Sequence, residues 1–289
     1  MVFTQAASTE QLDAGTMERY LRLLNVRART PSLPALNELV SAHLTRVPFE
    51  NISKLYYRKQ LGLTFLLDIH RSLDGIEKFH FGGTCYSNNF HFYSLLTSLG
   101  YQVKLCAADM ATPDVHMVSM VTVDGREYLV DTGYAAPLLS PLPRDLKADY
   151  VVTLGRDRYV LKPQDAGGRS RLELHRDGTL KHGYLAKPEP RRLEDFSKVI
   201  ADSFRADATF LNSLLLARFW PDRSVVIHNF ALIQAQGAQF TVRVLADRGE
   251  LIDKIEEYFA IPRPIAAEAV DEVGAMQDAW GDPFLGGRG

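Results

Sequence analysis

Val115-His116-Met117-Val118-Ser119-Met120-Val121-Thr122-Val123, then Asp124-Gly125, then Arg126-Glu127-Tyr128-Leu129-Val130-Asp131, is the stretch on which the fold turns. Asp-Gly between two β-prone runs is a strong short-range hairpin signal and predicts a two-residue turn. Val123 then pairs with Arg126, which sets Asp131 opposite Val118 and His116 opposite Gly133. His116 and Asp131 become diagonal neighbours on one face, about 7–8 Å apart at the backbone. From there a carboxylate can bond one imidazole nitrogen and fix the tautomer. A slip of one residue would send the two side chains to opposite faces.

A histidine held by a carboxylate is what a cysteine nucleophile needs: the base takes the thiol proton and the acid orients the base. Cys85 is the candidate. It follows Gly82-Gly83 and starts a run from Thr84 to Gly100 that reads as a helix, with Phe90, Phe92, Tyr93, Leu95, Leu96 and Leu99 on a broad apolar face. A thiol at the positive end of a helix dipole is favoured as thiolate. Cys106, inside the apolar run VKLCAA, reads as a core residue. His80, five residues before Cys85, is the nearest competing histidine.

Working outward, Met17–Val26 and Leu33–Leu44 read as helices. Tyr101–Ala107, Tyr150–Leu154, Tyr159–Lys162 and Arg171–His175 join the hairpin as short strands. In the last third, Leu193–Leu216 reads as a helix, Val225–Ile233 and Gln239–Leu245 as strands, and Leu251–Phe259 as a helix. This order predicts an α+β fold rather than a doubly wound sheet. The expected division is a helical domain over 1–100 carrying the cysteine, a β-rich domain over 101–192 carrying the histidine and aspartate, and an α/β lid over 193–289.

The chain has 289 residues, 46% apolar and 24% charged, and a formal net charge of -2. That is ordinary globular usage, with no electrostatic case for nucleic acid or an anionic membrane as partner. No apolar run approaches the roughly 18–20 residues that span a bilayer. The first twenty residues lack a basic region followed by an apolar one, so a cytoplasmic setting is expected. Two cysteines build no disulfide framework. No metal site is expected, because no pair of ligand-type residues has close metal spacing. Phosphate-cradling and dinucleotide glycine motifs are absent from the sequence.

Val47-Pro48-Phe49-Glu50-Asn51, Gly82-Gly83-Thr84-Cys85-Tyr86 with Asn89, Asp114-Val115-His116-Met117 and Tyr128-Leu129-Val130-Asp131-Thr132-Gly133-Tyr134 together resemble the arylamine N-acetyltransferase family. Weaker similarity runs from about residue 15 to beyond 260. The resemblance implies a helical first domain, a β-barrel-like second domain, an α/β lid and a cysteine-protease-like triad of Cys85, His116 and Asp131. It also implies ping-pong chemistry, in which acetyl-CoA as cosubstrate acylates Cys85 and a small-molecule arylamine, arylhydrazine or related amine accepts the acetyl group. Phe49, Gly133 and Tyr134 would bind substrate.

Three departures bear on donor and acceptor. Phe81 stands where the family usually has Arg, Ser87 where it commonly has Glu, and Ala135-Ala136 where glycines usually follow the aromatic. Three alternatives therefore stay open: an amide synthase taking an acyl chain from a carrier protein, a hydrolase using the same triad, and a non-catalytic homologue that keeps only the pocket.

Overall fold

Asp124 and Gly125 both adopt positive φ, 50° and 73°, as a tight hairpin of this kind demands. Around that turn Val123 pairs with Arg126 and Ser119 with Val130, the register the sequence predicts. The computed structural model describes residues 11–274 together with Met276 and Gln277. The first ten residues, part of the segment read above as lacking a leader pattern, lie outside the described residues, as does most of the stretch after 274.

The first hundred residues form α1 (Ala14–Leu24), α2 (Leu33–Arg46), the two-residue β1 (Phe49–Glu50), α3 (Ile52–Leu61), α4 (Ile69–Phe79) and α5 (Cys85–Ser98). Their ends follow local chemistry. Asp13 and Asp68 accept from backbone N–H groups three residues on, at Thr16 and Arg71, as N-caps. His80 takes left-handed φ (56°) to close α4, so the competing histidine is a helix terminator.

An open eight-stranded antiparallel sheet, curled into a half-barrel, follows. It is built from β2 (Gln102–Asp109), β3 (His116–Val123), β4 (Arg126–Val130), β5 (Leu142–Pro143), β6 (Tyr150–Leu154), β7 (Asp157–Leu161), β8 (Ser170–Arg176) and β9 (Thr179–Pro190), in the order β5-β4-β3-β2-β9-β8-β7-β6. The long strand β9 has no counterpart in the sequence reading, because Gly183, Pro188 and Pro190 argue locally against a strand. Its register shifts where it meets β2 and β8 absorb that irregularity.

The predicted helix over Leu193–Leu216 is not one element. The chain makes a 3₁₀ turn at Leu193–Phe196, α6 (Ser197–Asp202) and α7 (Thr209–Asn212), then becomes β10 (Leu215–Phe219). Leu214, Leu215 and Leu216 are buried together, and strand pairing on both edges of β10 outweighs their helix propensity. Val225–Ile233 is likewise two strands, β11 (Arg223–His228) and β12 (Ala231–Gln236), turned at Asn229 with φ 51°. With β13 (Gln239–Val244) they form a second sheet, ordered β1-β10-β11-β12-β13. The last two helices among the described residues are α8 (Arg248–Phe259) and α9 (Arg263–Val270). β1 thus belongs to a sheet otherwise made from the last third, and α3 shares an apolar cluster with α8 and α9 through Ile52, Leu55, Ile255, Phe259 and Ala266.

Candidate active site

Cys85 opens α5, and its loop is held by backbone and buried side chains. Gly82 N–H donates to Glu50 Oε1 (3.0 Å) and Glu50 N–H donates to the Gly83 carbonyl (3.1 Å). The loop passes so close to Pro48 that a Cβ on Gly82 would lie 1.8 Å from the Pro48 carbonyl oxygen, so only glycine fits. Asn51 ties the same region to the second sheet: its side-chain amide donates to the Ser213 carbonyl (2.7 Å) and its oxygen accepts from Leu215 N–H (2.9 Å). Val47–Asn51 therefore acts as a clamp on the nucleophile loop. Glu50 is fully buried, and desolvation raises its pKa against the hydrogen bonds that lower it.

His116, at the start of β3, is completely buried, and its Nε2 lies 2.7 Å from Asp131 Oδ2. Burial lowers the proton affinity of the ring. Asp131 and then Cys85 overcome it and raise the pKa to about 10. Asp131 is lowered despite its burial, because His116, Asn89 and the Gly133 N–H all favour the carboxylate. Nδ1 of His116 is buried with no aligned hydrogen bond, although Cys85 lies close enough to act on the ring. Loose nucleophile–base geometry of this kind is usual before substrate binds.

Asn89 sits one helical turn after Cys85. It donates to Asp131 Oδ1 (2.9 Å) and accepts from Thr132 N–H (2.8 Å). Tyr134 and Tyr184 form the walls of the imidazole, with ring centroids 5.9 Å and 4.9 Å from that of His116. The Tyr134 ring stacks on His182, and its hydroxyl lies 2.9 Å from His182 Nδ1. His182 and Tyr184 come from β9, and nothing in the local sequence pattern links either to His116.

The structure brings Cys85, His116 and Asp131 together, with Gly133 pressed against the Cys85 backbone. Phe49 and Tyr134 are buried in separate apolar clusters, Phe49 edge-on to Phe210 with centroids 5.5 Å apart. Neither lines the cleft beside the nucleophile. That cleft encloses about 520 Å³, part of it open to solvent, and is bordered by Gly83, Thr84, Tyr86 and Ser87 on either side of Cys85. Phe81 closes it from below within an aromatic group of Tyr56, Tyr57 and Phe79. A second cleft of about 470 Å³ lies between the two sheets, where Ala135 meets Tyr159, Phe219 and Phe240.

Residues 32–266 match a protein-family model described as N-acetyltransferase. A proansamycin X synthase from Amycolatopsis mediterranei is 27% identical over 251 residues, covering 81% of this chain and 93% of that protein. Human arylamine N-acetyltransferase 2 is 25% identical over 58% of this chain and 64% of its own length. Among solved structures, the arylamine N-acetyltransferase of Nocardia farcinica superposes with a TM-score of 0.72 at 27% identity, covering 91% of this chain and 94% of that one. The Mycobacterium marinum enzyme in complex with CoA gives 0.73 at 25% identity, covering 89% and 99%. Among the described residues, no helix is long and apolar enough to cross a membrane.

The fold and the matched model define an acyltransferase. Within that class, the chain belongs to the arylamine N-acetyltransferase family.

Proposed function

We propose that this protein transfers acetyl groups from acetyl-CoA to arylamines or arylhydrazines by a ping-pong mechanism through an acetyl-Cys85 thioester. The observation that carries the reading is the buried His116–Asp131 contact at 2.7 Å, with Cys85 acting on the same ring. An imidazole whose pKa rises to about 10 holds the proton taken from the thiol and leaves sulfur ready to attack.

In the first half-reaction the Cys85 sulfur bonds to the acetyl carbon, the carbon–sulfur bond to CoA breaks, and the leaving thiolate takes the proton from His116. In the second, the amine nitrogen attacks the thioester carbon, the bond to Cys85 breaks, and the amine proton passes to His116. Asp131 stabilises the imidazolium and fixes its orientation throughout. Backbone N–H groups beside Cys85 are the natural stabilisers of the oxyanion. The β10–β13 sheet with α8 and α9 serves as the lid that limits access of water, the competing acceptor.

The CoA complex of a structural neighbour and the similarity to human arylamine N-acetyltransferase 2 support donor and acceptor class. A second reading, an amide synthase fed by a carrier protein, is favoured by one observation: the relative matched over 93% of its length is named a synthase. Intact-protein mass after incubation with acetyl-CoA alone separates the two. A single acetyl adduct that is absent from Cys85→Ala and discharged by an added arylamine is the expected result. No adduct on a thiol that still alkylates readily would overturn the acetyl-CoA reading in favour of the synthase.

A further inference from the structure

Trp220 follows β10, Arg223 opens β11, and the Trp220 N–H donates to the Arg223 carbonyl (2.8 Å) across a turn made by Pro221 and Asp222. That turn sets the indole beside the Arg223 guanidinium, whose Cζ lies 4.4 Å from the ring centre. Arg218, two residues back and so on the same face, has its Cζ 5.3 Å from that ring centre. Its Nε donates to the Thr45 carbonyl (3.2 Å) in the last turn of α2, the helix that Arg46 ends. Arg46 and Arg223 are exposed, while Arg218 and Trp220 are half-buried.

Among the described residues no carboxylate pairs with any of the three arginines, Asp222 in the turn included. Burial, then the charges of Arg46 and Arg223, lower the pKa of Arg218. Holding the end of α2 uses one N–H of one arginine. It leaves the Nη groups of Arg218 and the other two guanidiniums without a protein acceptor among the described residues. Nor does it explain why three like charges converge, since uncompensated charge of one sign repels itself and opposes folding.

We infer that Arg46, Arg218 and Arg223, set around Trp220, form a binding site for a phosphate group, as a monoester dianion or a diphosphate. Each guanidinium presents a planar fork of N–H donors that matches two phosphate oxygens. Contact with Trp220 holds two of the forks in place beforehand, so less side-chain entropy is lost on binding. A phosphate monoester suits three forks better than a carboxylate does, because it brings more acceptor oxygens and nearly twice the charge. Bound there, it cancels the repulsion and joins the end of α2 to the β10–β11 turn. Arg46 immediately precedes the Val47–Asn51 clamp, and Ala217, beside Arg218, pairs with Phe49 inside it. The anion therefore braces the clamp from both sides. This chemistry serves a free phosphate compound and the phosphates of a donor such as CoA alike. It does not depend on the acyl-transfer reading.

Titration of the full chain with inorganic pyrophosphate, at an ionic strength held constant with NaCl, tests the site. Binding is read by calorimetry and by Trp220 fluorescence in Trp280→Phe, which leaves Trp220 as the one tryptophan. Saturable binding is expected, with a Kd raised at least about tenfold in Arg46→Gln/Arg223→Gln. No saturable binding to wild type, or an unchanged Kd in the folded double variant, overturns the inference. Should the double variant not fold, Arg223→Gln alone is read by the same criterion.

Adenosine 3′,5′-bisphosphate and CoA distinguish the two sources, and either result sustains the site. Displacement of pyrophosphate by both, with a KM raised in the double variant for acetyl-CoA and not for acetyl-pantetheine, assigns the phosphate to the donor. Pyrophosphate binding unaffected by either assigns it to a free phosphate compound. The titration needs no turnover, so a protein that never forms acetyl-Cys85 can still show the site, and the two readings fail separately.

Discussion

Asn89 donates to Asp131 across 2.9 Å, joining the helix that begins at Cys85 to the strand end that orients His116. The same side chain accepts from Thr132 N–H, so the loop after Asp131 is fixed by the fifth residue of the nucleophile's helix. Nucleophile and acid arrive on separate elements, and Asn89 keeps their spacing rigid.

Asn89→Ala should therefore slow acetyl transfer about 10–100-fold, the usual penalty for a displacement on the order of 1 Å between reacting groups. It should also cost about 1–3 kcal/mol of stability, since Thr132 N–H and Asp131 lose a buried partner. Single-turnover acylation beside urea melts reads both. A wild-type acylation rate would show that the spacing is held by other contacts.

Gly133→Ala should be more damaging than its single methyl suggests. A Cβ there would lie 2.7 Å from both Cys85 Cα and the Cys85 carbonyl oxygen, and 2.6 Å from Asn89 Nδ2. Backbone cannot give way as a flexible side chain can, so a loss of about 1–3 kcal/mol is expected. Lowered thermal stability with slowed alkylation of Cys85 is the predicted pairing.

The two cysteines should behave as different chemical species. Cys85 is partly exposed, whereas Cys106 is fully buried in β2, and burial pushes its thiol up to about 11. Iodoacetamide should label Cys85 in the native protein and Cys106 only after unfolding. Cys85→Ala should abolish turnover, while Cys106→Ala should lower stability and leave the acetyl adduct intact. The reverse pattern of activity loss would exchange their roles.

Histidines should set the pH dependence of stability in opposite directions. Burial holds His43 at about 3 and His91 at about 4, each below the unfolded value near 6.5. As pH falls below 6.5 the unfolded chain takes protons these sites refuse, so each removes about 1.4 kcal/mol per pH unit until its folded pKa is reached. His116 is raised to about 10, so its contribution is fully present below 6.5 and is lost as pH rises through 10. NMR titration should find the His116 ring protonated up to about pH 10. In Asp131→Asn, where burial remains without the carboxylate, the ring should lose its proton below 6.5. Urea midpoints measured from pH 4 to 10 should show both limbs.

Much of the site is written locally. Asp124-Gly125 sets the hairpin turn by itself, because only residues tolerant of positive φ close a two-residue connection. The pairing runs from Val123 with Arg126 to Ser119 with Val130, one residue short of Asp131, and the 2.7 Å contact puts Asp131 and His116 on one face as that register predicts. Gly82-Gly83 ahead of an apolar helix marks the Cys85 start in the same way. Local pattern failed where distant partners decide. Leu193–Leu216 has helical spacing, yet its last residue, Leu216, pairs with Glu50 on one side and Ile227 on the other, and no window of sequence contains both edges. β9 carries two prolines and a glycine that forbid it on propensity, but β2 and β8 supply a place for it.

The sequence by itself determined the hairpin register, the helix start at Cys85 and the family, because each rests on residues adjacent in the chain or on motifs in fixed order. Tertiary structure alone decided what surrounds them. Asn89 meets Asp131 only when α5 packs on β3, and Tyr184 reaches His116 only when β9 joins the sheet. Lys54, on α3, carries no signal in the sequence that sets it apart. It is buried where Ser203, just past α6, takes both hydrogen bonds of its ammonium. Burial and charge pairing are properties of three-dimensional neighbours, and no local spacing encodes which neighbours a side chain will have.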